Sequence, residues 1–276
     1  MASNLVSNLL QNPSPPQSVT KMGAYEPFDL QVGRGQIMGH IPVEIFGYSA
    51  TVGSTALGPI WEGLTLSGGA YVYPGSALQM TLVSTTTDTQ IIFVMGLDAN
   101  FNLLSEYITL TGTTPVTTVN SYFRINGLLV TNGLNAGTVT CKNGSTLYAQ
   151  INPGIGQTQM SIYTVPRGYT FYLSYVQSDS SIGFTSSNYM TFVEYNKFNI
   201  AVSGDNINGY PVNYGSNTTV VSQTPFVQTL NIPYTIPIAH EQGTDIQFQI
   251  KANTGSPFAA DVYAGGFLIK NDGQTA

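Results

Sequence analysis

The sequence carries little charge. Only 8% of its 276 residues are Asp, Glu, Lys or Arg, far below the roughly 25% typical of soluble domains. Eight basic residues stand against fourteen acidic ones, which gives a formal net charge of −6. No basic stripe is available to neutralise a phosphate backbone, so we expect no nucleic-acid binding. A polar, weakly charged surface gives little repulsion between copies, which favours packed assemblies.

Cysteine, histidine and long apolar runs are also scarce. The single Cys141 excludes an intramolecular disulfide and a thiolate metal cluster, and it fits folding in a reducing cytoplasm as a buried thiol. His40 and His240 lack Asp, Glu or Cys neighbours at ligand spacing, so we expect no metal or other cofactor. No run approaches the roughly 18 apolar residues of a membrane helix, and the first residues do not resemble a signal peptide, so we expect no membrane association.

Catalytic motifs are incomplete. Residues 47–51 lack the final glycine of a nucleophile elbow. Residues 98–102 imitate the opening of a calcium loop, but Leu103 and Thr109 stand where an EF-hand needs glycine and glutamate, and hairpin turn chemistry explains the pattern. Carboxylates could still meet in space, yet no pair is singled out. We therefore expect a protein that is not an enzyme.

Apolar and aromatic residues are abundant. Hydrophobic residues make up 42% of the chain, with 17 Tyr and 13 Phe, enough to bury a core. From about Val43 onward, short alternating runs are separated by Gly, Pro and Asn, which predicts antiparallel strands. The predicted fold is all-β, with one or two antiparallel β-sandwich or jelly-roll-like domains behind an extended N-terminal arm. The predicted strands are 78–84, 90–95, 105–111, 115–120, 122–130, 138–141, 145–151, 159–165, 170–177, 190–195, 224–232, 245–252 and 260–269.

The arm is predicted over residues 1–42. Leu5, Val6, Leu9 and Leu10 repeat at helical spacing, which predicts a helix too short to persist alone. The Pro- and Gly-rich stretch that follows predicts extended chain. We interpret the four apolar residues as partner-binding; a free terminus is the alternative. The rest divides into a β-rich domain over residues 43–144 and a β-sandwich or jelly-roll-like domain over residues 145–276.

A group of aromatic residues lies at the start of the second predicted domain. Tyr163, Tyr169, Phe171, Tyr172 and Tyr175 lie close together in the sequence. Aromatic side chains on one face of alternating strands fill a sandwich core, and this interpretation is favoured. The alternative is a surface that stacks on sugar rings in a receptor-binding module.

Several stretches resemble a known family. The most specific is the segment from Val94 to Thr118, which contains Leu-Asp-Ala-Asn-Phe-Asn followed by a Thr-rich run. These stretches are similar to virion structural proteins of tailed bacteriophages of aquatic bacteria. The resembling segments are residues 34–40, 46–48, 60–62, 68–69, 73–74, 94–118, 121–126, 238–246 and 265–269.

The resemblance implies a place in the virion, after synthesis in the host cytoplasm. The first expectation is a capsid decoration (cement) protein that forms a homo-oligomer and binds the major capsid protein. A tail adaptor or tail-associated ring protein, bound to tail or portal proteins, is the alternative. A receptor- or carbohydrate-binding module of a head or tail fibre is the second alternative. The resemblance supplies no catalytic residues.

Overall fold

The structure, a computed structural model, describes residues 26–53, 56–63, 71–181, 190–199, 206–207, 210–211, 219–226, 229–253 and 258–271. The predicted partner-binding residues Leu5, Val6, Leu9 and Leu10 lie outside these ranges. Within the described residues the regular secondary structure is almost entirely β-strand, which confirms the predicted fold class. The elements are α1 (Phe28–Gly33), β1 (His40–Val52), β2 (Gly58–Pro59), β3 (Leu78–Ser84), β4 (Ile91–Leu97), β5 (Leu103–Thr109), β6 (Val116–Tyr122), β7 (Arg124–Val130), β8 (Val139–Asn143), β9 (Thr146–Ile151), β10 (Ile162–Thr164), β11 (Tyr169–Ser180), β12 (Met190–Phe198), β13 (Asn206–Ile207), β14 (Tyr210–Pro211), β15 (Thr219–Phe226), β16 (Thr229–His240), β17 (Thr244–Ala252) and β18 (Phe258–Lys270).

The strands form antiparallel sheets. Sheet A has the order β1-β18-β11-β16, and sheet B has the order β10-β17-β12-β15 with β2 beside β17. Sheet C has the order β6-β3-β8-β9, and sheet D has the order β5-β4-β7. The short strands β13 and β14 pair only with each other among the described residues. Alternating burial along β3, β4 and β18 places apolar side chains on one face of sheets C, D and A.

Two hydrophobic cores result from this arrangement. Sheets A and B enclose the first core, which includes Phe171, Phe192 and Phe248. Sheets C and D enclose the second core, which includes Met80 and Ile92. The second core draws its residues from one continuous stretch, residues 61–162, which the residues of the first core flank on both sides.

The pairings connect distant parts of the chain. Strand β1 pairs with β18 from His40 opposite Ile269 to Val52 opposite Phe258. Strand β8 pairs with β9 across residue 144. Both pairings join segments that the predicted division assigns to different domains. The boundaries at residues 42 and 144 stay a prediction.

Within residues 26–42, α1 differs from the extended chain that their Pro and Gly content predicts, whereas the beginning of β1 is extended. Pro27 precedes α1, a position where its fixed φ and missing N–H are tolerated. Six residues do not form a stable helix alone, but Val32 is buried and the Phe28 ring lies edge-on to Phe267 at 5.5 Å. Tertiary contact with sheet A therefore overrides the local signal.

Candidate assembly surface

A projection on the edge of sheet A is the candidate assembly surface. We define it as residues 234–237 of β16. Pairing with β11 stops after Pro233 and resumes at Ile238, so the four residues stand opposite the single residue Ser174. An insertion of this kind is a β-bulge, a feature that re-aims side chains at sheet edges. At the tip of the projection, Ile236 is 82% exposed.

Both edges of sheet A and one edge of sheet C are protected against strand addition. Pro233 precedes the projection, Pro237 is its last residue, and Pro42 lies on β1 at the opposite edge of sheet A. Proline has no N–H to donate to an added strand. At the edge of sheet C, the Glu106 carboxylate accepts the backbone N–H groups of residues 119–120 at 2.9 and 3.1 Å. Contacts at these edges are therefore expected to use side chains.

Glu194 holds both ends of the projection. It lies on β12 of sheet B and its side chain is buried in the sandwich. The hydroxyl of Tyr234 donates to Glu194 Oε2 at 3.4 Å. On the other side of the projection, His240 Nε2 lies 3.2 Å from Glu194 Oε1, and the His240 ring stacks on Phe171. Asn196 Nδ2 donates to the same carboxylate at 2.9 Å. One buried group thus fixes the two flanks of an exposed apolar tip.

The electrostatics of Glu194 are consistent with this role. Burial alone would raise its pKa, but the adjacent His240 imidazole, together with the hydrogen bonds from Asn196 and Tyr234, outweighs burial and brings the pKa of Glu194 below its usual value. The group is therefore a carboxylate at neutral pH. Burying a carboxylate is unfavourable unless polar partners offset the desolvation. The fold accepts this desolvation cost at the base of the projection. The polar partners that offset the cost keep the projection in one position.

The outer face of sheet D is a second exposed surface. Phe93 pairs with Tyr107 on one side and Leu129 on the other, and the Phe93 and Tyr107 rings are 4.8 Å apart. Tyr107 is 67% exposed. The strand register places further uncharged residues on the same face. Uncharged apolar surfaces are typical of contact sites. The added residues are Ile91, Met95, Ser105, Thr109 and Gly127.

A buried ion pair joins the two cores. Arg124 on β7 donates from Nε and Nη2 to the two carboxylate oxygens of Asp245 on β17, at 2.8 and 3.0 Å. Thr164 Oγ1 and Asn199 Nδ2 also donate to Asp245, each at 2.6 Å. The guanidinium lies 4.2 Å from the centre of the Phe123 ring. These contacts are internal to the chain, so the pair acts on stability.

The structure separates the predicted aromatic group. Phe171 is buried in the first core, and Tyr163 and Tyr169 pack against it, which confirms the core interpretation for these three. Tyr172 and Tyr175 alternate with buried residues of β11 and are only partly buried, so they lie on the outward face of sheet A. The core interpretation is therefore wrong for these two. Strand alternation turns Tyr172 outward, and Ser174, an extra residue with no partner on β18, turns Tyr175 outward.

The described residues contain neither a reactive thiol nor a cluster of metal ligands. Burial raises the pKa of the Cys141 thiol to about 12, so the thiol is inert, and its predicted burial is confirmed. In the described ranges no three His, Cys, Asp or Glu residues gather as metal ligands. No helix among those residues is long and apolar enough to span a membrane.

The projection was not predicted from the sequence. Its signal is the repeated Ile-Pro of residues 232–233 and 236–237, which places two prolines four residues apart in a strand-like run. Proline inside such a run indicates an edge strand or a bulge. The partners of Glu194 carried no comparable signal, because they come from other strands.

Comparisons with known proteins assign the chain to no family. No protein-family model matches the sequence, and no curated protein matches it. Among solved structures, a chain of T=1 particles derived from infectious bursal virus is 13% identical, with 84% of this chain and 70% of that chain covered and a TM-score of 0.17. A chain from the triple jelly roll and turret assembly of an archaeal virus is 12% identical, with coverages of 80% and 60% and a TM-score of 0.13. TM-scores this low support no argument about fold or function.

Proposed function

We propose that the protein is a non-enzymatic structural component of a virus particle, where it assembles with copies of itself and with other virion proteins. The observation that carries this proposal is the projection on β16, an exposed isoleucine held in place by a buried carboxylate. The low charge of the chain and its resemblance to virion structural proteins support the same function. An apolar knob on a weakly charged surface suits repeated contacts between neighbours.

Within the particle, our first choice is a capsid decoration protein that contacts the major capsid protein. The alternative is a tail adaptor or a tail-associated ring bound to tail or portal proteins. A reconstruction of intact particles by electron cryo-microscopy, with this chain traced, tests the proposal. Density repeated over the capsid lattice supports decoration, whereas one ring at a single vertex supports the tail alternative. A particle without this chain would contradict both.

Replacing Ile236 with Asn is expected to weaken incorporation into particles without unfolding the protein. The side chain is 82% exposed, so the stability should change by at most about 0.5 kcal/mol. Loss of an apolar hot spot costs about 2 kcal/mol or more in binding, which is more than tenfold in affinity. Competition with tagged wild-type protein during assembly measures the effect.

The matched control for this variant is Val119→Asn. Val119 is 84% exposed but lies on β6 in sheet C. Incorporation of the Val119 variant should equal that of the wild type. Equal incorporation of the Ile236 variant would show that the projection is not an assembly contact.

Deleting residues 1–25 is expected to reduce incorporation and leave the described body folded. The deletion removes the apolar residues Leu5, Val6, Leu9 and Leu10, which we propose as partner-binding. It stops before α1, because Val32 and Phe28 pack on the body. Circular dichroism and particle incorporation are the measurements. A full-length variant with the four residues replaced by Ser tests the same contact without shortening the chain. Wild-type incorporation of both variants would refute the arm contact.

A further inference from the structure

A groove lies where the outer face of sheet A meets the edge of sheet D. It has a volume of about 340 Å³, within the usual range for small-ligand sites. Strands β1 and β18 supply one wall through Glu44, Phe46 and Tyr263. Strand β7 and the chain before β10 supply the other wall, which includes Leu129 and Gln157. Both cores contribute residues, and such junctions are common positions for binding sites.

Aromatic rings form one side of the groove. Phe46 and Tyr263 are directly opposite each other in the β1–β18 ladder and are both partly exposed. The centre of the Tyr263 ring is 5.6 Å from that of Tyr175 on β11. Three neighbouring strands therefore present a row of rings toward solvent. Aromatic faces stack on flat ligand surfaces that carry C–H groups.

Polar groups that bind hydroxyls lie beside these rings. The neighbouring Tyr175 hydroxyl, burial and the Glu44 carboxylate raise the pKa of Tyr263, so its hydroxyl is neutral and has one proton to donate. Glu44 is exposed, and its two oxygens can accept from adjacent hydroxyls. Gln157 is exposed on the other wall and offers both a donor and an acceptor. The amide of Asn126 is excluded from this set, because it already pairs with the backbone of Thr164.

The lining also indicates the charge of the ligand. Among the residues that line the groove, Glu44 is the one charged side chain, and none is Lys or Arg. Phosphate, sulfate and carboxylate groups usually require such cations. A ligand that combines an apolar ring face with many uncharged hydroxyls satisfies all of these conditions. Pyranose sugars have this chemistry.

We propose that the groove binds a neutral oligosaccharide, which stacks on Phe46 and Tyr263 and hydrogen-bonds to Glu44 and Gln157. The proposal adds a ligand site to an assembly protein and is independent of the projection. It locates the carbohydrate-binding alternative at a groove that shares Tyr163 and the neighbouring Tyr175 with the aromatic group that the sequence singles out, and that adds Phe46 and Tyr263. On a particle, many copies would strengthen weak binding through multivalency.

A glycan array with neutral oligosaccharides of hexoses and N-acetylhexosamines, together with sialylated and sulfated members, tests the proposal on the full chain. The wild type should bind neutral members and leave anionic members unbound. Tyr263→Ala and the near-isosteric Glu44→Gln should each lower affinity by about tenfold. Tyr107→Ala is the matched control, because it removes an exposed ring of the Phe93 pair that has no part in the groove.

The results that support the groove as a carbohydrate site differ from those that overturn it. Neutral binding that is lost in both groove variants, and kept in the Tyr107 variant, supports the site. Silence of the wild type on all neutral members overturns the proposal, as does binding that is restricted to anionic members. Neutral binding that survives Glu44→Gln and Tyr263→Ala, with circular dichroism showing folded variants, also overturns it. None of these results bears on incorporation into particles.

Discussion

Replacing Arg124 with Met is expected to lower the free energy of unfolding by about 3–5 kcal/mol. Asp245 is fully buried, and the substitution removes two of its four hydrogen-bond donors. An uncompensated carboxylate then remains between the two cores. Urea unfolding followed by far-ultraviolet circular dichroism measures the loss through the change in midpoint.

The same variant should also separate the unfolding of the two cores. Arg124 belongs to sheet D and Asp245 to sheet B, so the pair connects the sheets around different cores. Trp61 is the chain's single tryptophan and lies in the second core. Its fluorescence therefore reports that core alone, whereas circular dichroism reports both. We expect the two transitions to coincide in the wild type and to diverge in Arg124→Met.

Two controls identify the cause. Arg34→Met removes a pair with Glu26 in which the Arg34 side chain is 51% exposed, and the expected change is about 0–1 kcal/mol. The double variant Arg124→Met with Asp245→Leu removes both charges, and we expect it to recover much of the stability. An Arg124→Met protein as stable as the Arg34 variant would mean that the ion pair does not connect the cores energetically.

The strands could be predicted because their signals are local. The predicted strand 78–84 has the observed bounds, and the turn between β4 and β5 follows from its residues. Asp98 accepts hydrogen bonds from the backbone N–H groups of Asn100 and Asn102 at 2.8 and 2.9 Å, which is the hairpin chemistry expected for this segment. Period-two alternation and turn residues lie within a few positions of each other, so one sequence is enough.

The pairings were not predictable in the same way. The predicted strand 224–232 is divided between β15, which pairs with β12, and β16, which pairs with β11. Both strands have the same polar and β-branched pattern, which does not encode the sheet to which a strand belongs. The ion pair has the same difficulty, because its members are 121 positions apart. Side chains that meet only after long-range pairing leave no spacing in the sequence.

The candidate site depends both on local sequence signals and on long-range strand pairings. The prolines of the projection are a local signal, but its anchor Glu194 was one carboxylate among several with nothing to distinguish it. The aromatics that line the groove come from β1, β10 and β18, and β1 and β18 are separated by most of the chain. Sequence reasoning therefore predicts a polar, weakly charged surface, whereas the positions of the projection and of the groove depend on sheet A.

Replacing Gly266 with Ala is expected to destabilise the protein by about 3 kcal/mol, the upper part of the range for overpacking. A Cβ on Gly266 would lie 1.9 Å from the carbonyl oxygen of Tyr172 and 3.0 Å from Leu173 Cα. Both atoms belong to the backbone of β11, so the clash cannot be relieved by a side-chain rotation. The midpoint of urea unfolding measures the effect.

The position of Gly266 extends the effect beyond stability. It pairs with Leu173, next to the Ser174 bulge that lies opposite the projection. Moving β11 there should displace the projection, so incorporation of Gly266→Ala should fall even at temperatures where the protein is folded. Gly75→Ala is the control, since a Cβ at Gly75 meets no atom within 4 Å. If Gly266→Ala matches this control in stability and incorporation, the bulge does not determine where the projection lies, and Glu194 is its main support.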